Sequence, residues 1–127
     1  MNYAPKALLT TPFIAVILAL SVSADDVRNE TRSIEAEVDY ELNQAFQHLI
    51  EQVRAQHADD RPRAELVIAR LRASQRAWLQ FRDAQIGFVV AYHDIGSPSA
   101  RAAGAASYGV ELTQQRIKDL EQVPNPF

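Results

Sequence analysis

From Val67 to Tyr92 the apolar side of this chain advances in alternating steps of four and three residues. That run decides most of what the chain can become. Val67, Leu71, Ser74, Trp78, Phe81, Gln85, Phe88 and Tyr92 fall on one stripe, which is the period of a helix and not of a strand. A helix over roughly Arg61 to Asp94 at 1.5 Å per residue is about 50 Å long. A rod of that length in a short chain must be flanked along most of its sides, so an elongated domain is expected.

Two further helices are predicted around it. Between about Asp26 and Gln56, the residues Ile34, Val38, Leu42, Phe46, Leu49 and Val53 form one apolar stripe. Glu37, Glu41, Gln44, Gln47 and Glu51 lie opposite, which makes the segment amphipathic. The stretch His57 to Pro62 ends it, with Asp60 placed to cap the next helix and Pro62 in a first turn where its missing N–H costs nothing. Gly96, Ser97 and Pro98 repeat that grammar before a third helix, Pro98 to about Gln122. This helix puts Ala103, Ala106, Val110, Thr113, Ile117 and Leu120 on one face. Its first half is almost entirely Ala, Gly and Ser, which suits close approach to the bulky Phe81–Tyr92 end of the second helix. Pro124 and Pro126 stop it. Short connections imply antiparallel neighbours. The expected class is all-α: an elongated antiparallel three-helix arrangement following a cleaved signal peptide.

The signal is read from the first 24 residues. Lys6 is the only charge before Asp25, and a mostly apolar run from Ala7 to Leu20 follows it. Val22, Ser23 and Ala24 then supply the small residues a signal peptidase needs, so cleavage is expected after Ala24. The run is interrupted by Pro12 and is short for a membrane span, which needs about 20 apolar residues. Residues 25–127 remain as one helical domain, periplasmic or secreted, with no membrane contact after cleavage. Loss of Lys6 shifts the net charge from −3 to −4, the wrong sign for an electrostatic nucleic-acid binder. With no cysteine in the chain, disulfides, a thiolate metal site, a lipid-modified cysteine and thiol redox chemistry are all excluded. Helix packing alone must hold the domain together.

The polar residues beside Trp78 are the candidate site: Asn43, Gln75, Arg76, Trp78, Arg82 and Asp83. Trp78 and Arg82 are four apart, so the guanidinium can lie over the indole. A core Trp roofed by an Arg stem is the structural reading, and an interface anchor the functional one. Arg76 or Arg82 is expected to clamp a group on the first helix, with Asn43 a matching amide. Gln85 and Thr113, polar on apolar stripes, are expected to need partners and to be available to each other. His48, His57 and His93 lack the spacing of a metal-binding helix. The carboxylates Glu35, Glu37, Asp39 and Glu41 alternate around a solvated face. No nucleophile–base pair or phosphate loop is found, so no enzyme, no metal and no cofactor is expected.

Three segments carry a resemblance. Leu42-Asn43-x-x-Phe46, Leu71-x-x-Ser74-Gln75-Arg76-Ala77-Trp78-Leu79-x-Phe81-Arg82-Asp83-Ala84, and Thr113-x-x-Arg116-x-x-x-Leu120 resemble in order and spacing the motifs of the lysozyme inhibitor LprI-like N-terminal domain family of exported bacterial proteins. The likeness runs from about Ile34 to Glu121. It implies a helical fold, export, and binding to a lysozyme as the partner. This chain departs from the family in having no cysteines. The family pattern places one just after the Arg-Asp-Ala element, where Gln85 stands, and another near Tyr108. The alternative expectation is a structural or assembly module of the cell envelope that self-associates or pairs with another envelope protein, with Trp78, Phe88 and Tyr92 partly exposed in the monomer.

Overall fold

A computed structural model describes residues 23–93 and 96–123, and these form three helices: α1, Ala24–Gln56; α2, Arg61–Tyr92; and α3, Pro98–Gln122. The first 22 residues of the expected signal, residues 1–24, lie outside the described residues, as do Asp94 and the terminal Pro124–Pro126 stop. Each helix begins at a side-chain cap. Ser23 and Asp26 form a reciprocal capping box at α1. Asp60 accepts from the Arg63 amide at α2, and Ser97 from the Ala100 amide at α3, each with Pro in the first turn. Such caps satisfy N–H groups that the helix itself cannot.

The three helices run up, down and up. Arg82 of α2 meets both Asp39 of α1 and Thr113 of α3. Farther along, Leu42 and Leu49 of α1 cluster with Leu120 of α3. The α3 helix is therefore parallel to α1 and antiparallel to α2, and α1 packs most extensively against α3.

Burial is concentrated toward the α1–α2 turn. Ile50, Val53, Ala64 and Ile68 form one cluster, with Ile68 wholly enclosed. Phe46 and Leu71 pack against this cluster and also against the neighbouring one, where Leu42, Leu49 and Leu120 meet. Fully burying a branched side chain such as Ile68 is worth roughly 1.5–3 kcal/mol. Toward the other end the packing thins. The first buried residue of α1 is Val38, and α2 has only Ala64 and Ile68 in that class.

Several expected inward positions face water. Ile34 is exposed at the start of its stripe, and so is Ala103 on α3. The correction to α2 is larger. Ser74, Phe81, Phe88 and Tyr92 are exposed, while Ala64, Ile68, Gln75, Arg82, Ile86 and Val89 sit on the buried or half-buried side with Leu71 and Trp78. The covered face follows the same four–three steps, through Leu71, Gln75, Trp78, Arg82, Gln85 and Val89, and shares Leu71, Trp78 and Gln85 with the expected stripe. It lies to the other side of those shared residues, so Gln75, Arg82 and Val89 turn inward where Ser74, Phe81 and Phe88 were expected to.

A close approach of α3 to α2 is seen at Gly109, where an added Cβ would stand 3.1 Å from the Ile86 Cδ1 atom. Ile86 belongs to the Phe81–Tyr92 end of α2, and Gly109 lies just beyond the run of Ala, Gly and Ser expected to face it.

Candidate functional site

Trp78 sits half-buried in the middle of α2 and packs against the Leu42–Leu49–Leu120 cluster. The Arg82 guanidinium lies 5.3 Å and the Arg116 guanidinium 5.9 Å from the centre of its ring, both within the distance at which a cation is attracted to an aromatic face. The Arg82 contact follows from four-residue spacing along α2. Arg116 comes from α3, so the indole stacks two helices together through charge as well as through apolar area.

Each arginine is held by further bonds. Arg116 donates from Nε to the Gln75 Oε1 atom at 3.1 Å and from Nη2 to the Ser74 hydroxyl at 3.0 Å. Burial pushes the Arg116 pKa below the ordinary arginine range, while Asp119 pulls it back up; the group remains cationic at neutral pH. Arg82 donates from Nη1 to Asp39 Oδ1 at 3.1 Å and to the Thr113 hydroxyl at 3.3 Å. The Thr113 hydroxyl in turn donates to the Gly109 carbonyl at 2.7 Å, which satisfies this buried polar side chain on both counts. Arg82 also approaches Asp83 at 3.5 Å.

The interhelical clamp expected of Arg76 or Arg82 is made by Arg82, and its partner on α1 is Asp39. The Arg76 and Asn43 side chains are exposed and make no hydrogen bond among the described residues, so Asn43 is not the matching group. Gln85 and Thr113 do not bond to each other. Gln85 donates instead to the Tyr108 hydroxyl at 3.4 Å, and Thr113 is taken by Arg82. Of the six candidate residues, Gln75, Trp78 and Arg82 are drawn into one interhelical seam, Asp83 borders it, and Asn43 and Arg76 are exposed without a bond to it. The seam residues outside that set are Asp39, Ser74, Thr113 and Arg116. Thr113 and Arg116 carried a sequence signal in the closing motif, whereas Asp39 was indistinguishable from the other carboxylates of its solvated face.

Beside the seam a cavity of about 350 Å³ opens among all three helices. Arg82 stands at one wall, with Glu35, Asp39 and Asp83 around it and Ala105, Gly109 and Val110 of α3 opposite. The Asp39 and Asp83 side chains are 57% and 74% exposed, against 20% for Arg82. The mouth is thus anionic over a single sheltered cation. Among the described residues no group of three or more His, Asp or Glu side chains is placed to hold a metal ion. No described helix is long and apolar enough to cross a membrane.

The profile of the family described as Lysozyme inhibitor LprI matches residues 27–120. No curated protein and no solved structure matches the chain. The family match covers all three motif segments, including the Trp78 seam and the groove beside it. The chain belongs to the LprI lysozyme inhibitor family.

Proposed function

We propose that this member of the LprI family works outside the cytoplasm by binding a lysozyme and blocking it, with the groove beside Arg82 as the contact region. The observation that carries the reading is the family match over residues 27–120. The surface chemistry is consistent with it. Residues 25–127 bear 16 acidic residues and a net charge of −4, and the open carboxylates Glu35, Asp39 and Asp83 stand together at the groove mouth. Lysozymes of the common animal type are strongly cationic, so long-range attraction favours encounter and fades as salt is added.

Arg82 has a supporting part in this reading. It holds Asp39 in place and neutralises part of the acid cluster, which keeps the groove open without a buried unpaired charge. Asn43 and Arg76, both exposed, are available to a partner, whereas Gln75 and Trp78 serve the fold that presents the groove. The mode of action is binding, with no bond made or broken by this chain.

The test is a turnover assay of bacterial cell-wall lysis by lysozyme in the presence of the purified protein. Inhibition at micromolar concentration is expected, weaker at high salt and weaker again for Glu35→Lys combined with Asp83→Lys. Absence of inhibition against several lysozyme types removes the reading. Inhibition that is unmoved by the charge reversals moves the contact away from the groove.

A further inference from the structure

The outward side of α2 carries a second apolar stripe that the protomer leaves uncovered. Phe81, Phe88 and Tyr92 are 52%, 60% and 74% exposed. Ala77, Ala84 and Ala91 are exposed between and beside them. From Ala77 through Phe81, Ala84 and Phe88 to Ala91 the steps are four, three, four and three, the spacing of a coiled-coil seam. The inner side of α2 already meets α1 and α3, so among the described residues nothing packs on this second seam.

The stripe also carries no charge. Between Ala77 and Tyr92 the only charged residues are Arg82 and Asp83. Arg82 turns inward to Thr113, and Asp83 borders the groove on the opposite flank of the helix. A cationic partner finds nothing complementary here, while an identical neutral stripe does.

We propose that this face takes a second copy of the chain, two α2 helices pairing antiparallel across a two-fold axis. The alternation of large and small residues selects that arrangement. With the axis between positions 82 and 83, Phe81 meets Ala84 of the partner subunit and Phe88 meets Ala77 of the partner subunit. Every such layer then holds one ring and one methyl group. A parallel pair would instead stack Phe on Phe and Ala on Ala, leaving gaps between crowded layers. Exposed Gly87, flanking the seam, allows the backbones to approach closely. The contact is isologous, so it closes at two copies. The three aromatic side chains offer on the order of 400 Å² of uncovered surface, about half of what a standard interface buries per partner. The small residues around them add to this without reaching the standard size, which makes this a reversible pair and not an obligate one. The pairing is independent of the inhibitory reading, and either can fail alone.

Analytical ultracentrifugation of the purified exported protein tests it. The mass is expected to rise from one protomer toward two between about 1 µM and about 500 µM, and, unlike a lysozyme complex, to be insensitive to salt. Phe81→Ser with Phe88→Ser, and separately Ala84→Arg, should hold the protein at one protomer with far-UV dichroism unchanged, since all three side chains are exposed. In a chain with no native cysteine, Ala84→Cys near the axis should be joined to its copy by a short bis-maleimide and Ala91→Cys should not. A single protomer at every concentration overturns the proposal, whether or not another protein then proves to cover the face. Association that survives the substitutions, or linkage through both cysteine positions, overturns it equally.

Discussion

Replacing Trp78 with Ala removes the side chain on which the three motif segments converge, and the structure allows the loss to be sized. A tryptophan buries about 150–250 Å². Trp78 is half-buried, so the lower end applies, and about 25 cal/mol per Å² gives roughly 3–4 kcal/mol of lost apolar burial. The two guanidinium contacts add about 0.5–1 kcal/mol each at exposed sites, part of which the freed arginines recover from water. The expected cost is therefore about 4 kcal/mol, a large share of the roughly 5–15 kcal/mol that holds a domain folded. The melting temperature should fall by well over 10 °C, because each kcal/mol moves a domain of this size by about 4–8 °C. The measurement is urea unfolding followed by far-UV dichroism, since the substitution removes the only tryptophan and with it the fluorescence signal. Trp78→Phe, which keeps a ring against Leu42 and Leu120, should lose less than half as much. A Trp78→Ala loss below about 1 kcal/mol with an unchanged denaturant slope would refute the packing argument and assign the indole to recognition.

Gly109→Ala brings a methyl group to 3.1 Å from the end of the Ile86 side chain. The helix propensity gained, about 1 kcal/mol, offsets that contact, so its thermal melt should barely move, whereas Gly109→Leu should lose about 1–3 kcal/mol as α3 is pushed from α2. Asp39→Ala should lose less than about 1 kcal/mol because the pair with Arg82 is half in water. Arg82→Ala should lose more, because the contact with Trp78 and the bond to Thr113 go as well; a double-mutant cycle giving a coupling above about 2 kcal/mol would contradict this division. Ser23→Ala should weaken the α1 start by about 1 kcal/mol, visible as faster exchange of the Asp26 amide, which donates to the Ser23 hydroxyl.

The helices and their caps were legible because each rests on local chemistry. Asp60 with Pro62 and Ser97 with Pro98 signal a helix start without reference to anything distant, and both starts are where those residues put them. The facing of α2 was not legible in the same way. Phe81, Phe88 and Tyr92 are more hydrophobic than Arg82 or Gln75, so an apolarity pattern selects them, yet the covered face is set by where α1 and α3 lie. Arg82 occupies an inward position because its guanidinium lies over Trp78 and bonds Asp39 and Thr113, a combination that exists only after folding. The same holds for Gln85. The resemblance marks its position and the neighbourhood of Tyr108 as places where the family carries cysteines, and in this chain the two side chains meet across α2 and α3 through a hydrogen bond. Arg116 could be singled out from its motif, but its attachment to Ser74 and Gln75 requires the antiparallel register that brings α3 alongside α2.

The uneven distribution of burial along the bundle has a mechanical consequence. Enclosed side chains gather where α1 turns into α2, and few are found where α1 begins, α2 ends and α3 begins. Parting the helices at that second end uncovers little that was dry, so it requires a fraction of the free energy of complete unfolding. Spreading should travel inward from the helix tips and stop where Leu42, Leu49 and Leu120 interlock. The leucine and isoleucine clusters near the turn therefore act as the anchor of the bundle, and the opposite end should be the first to exchange its amides.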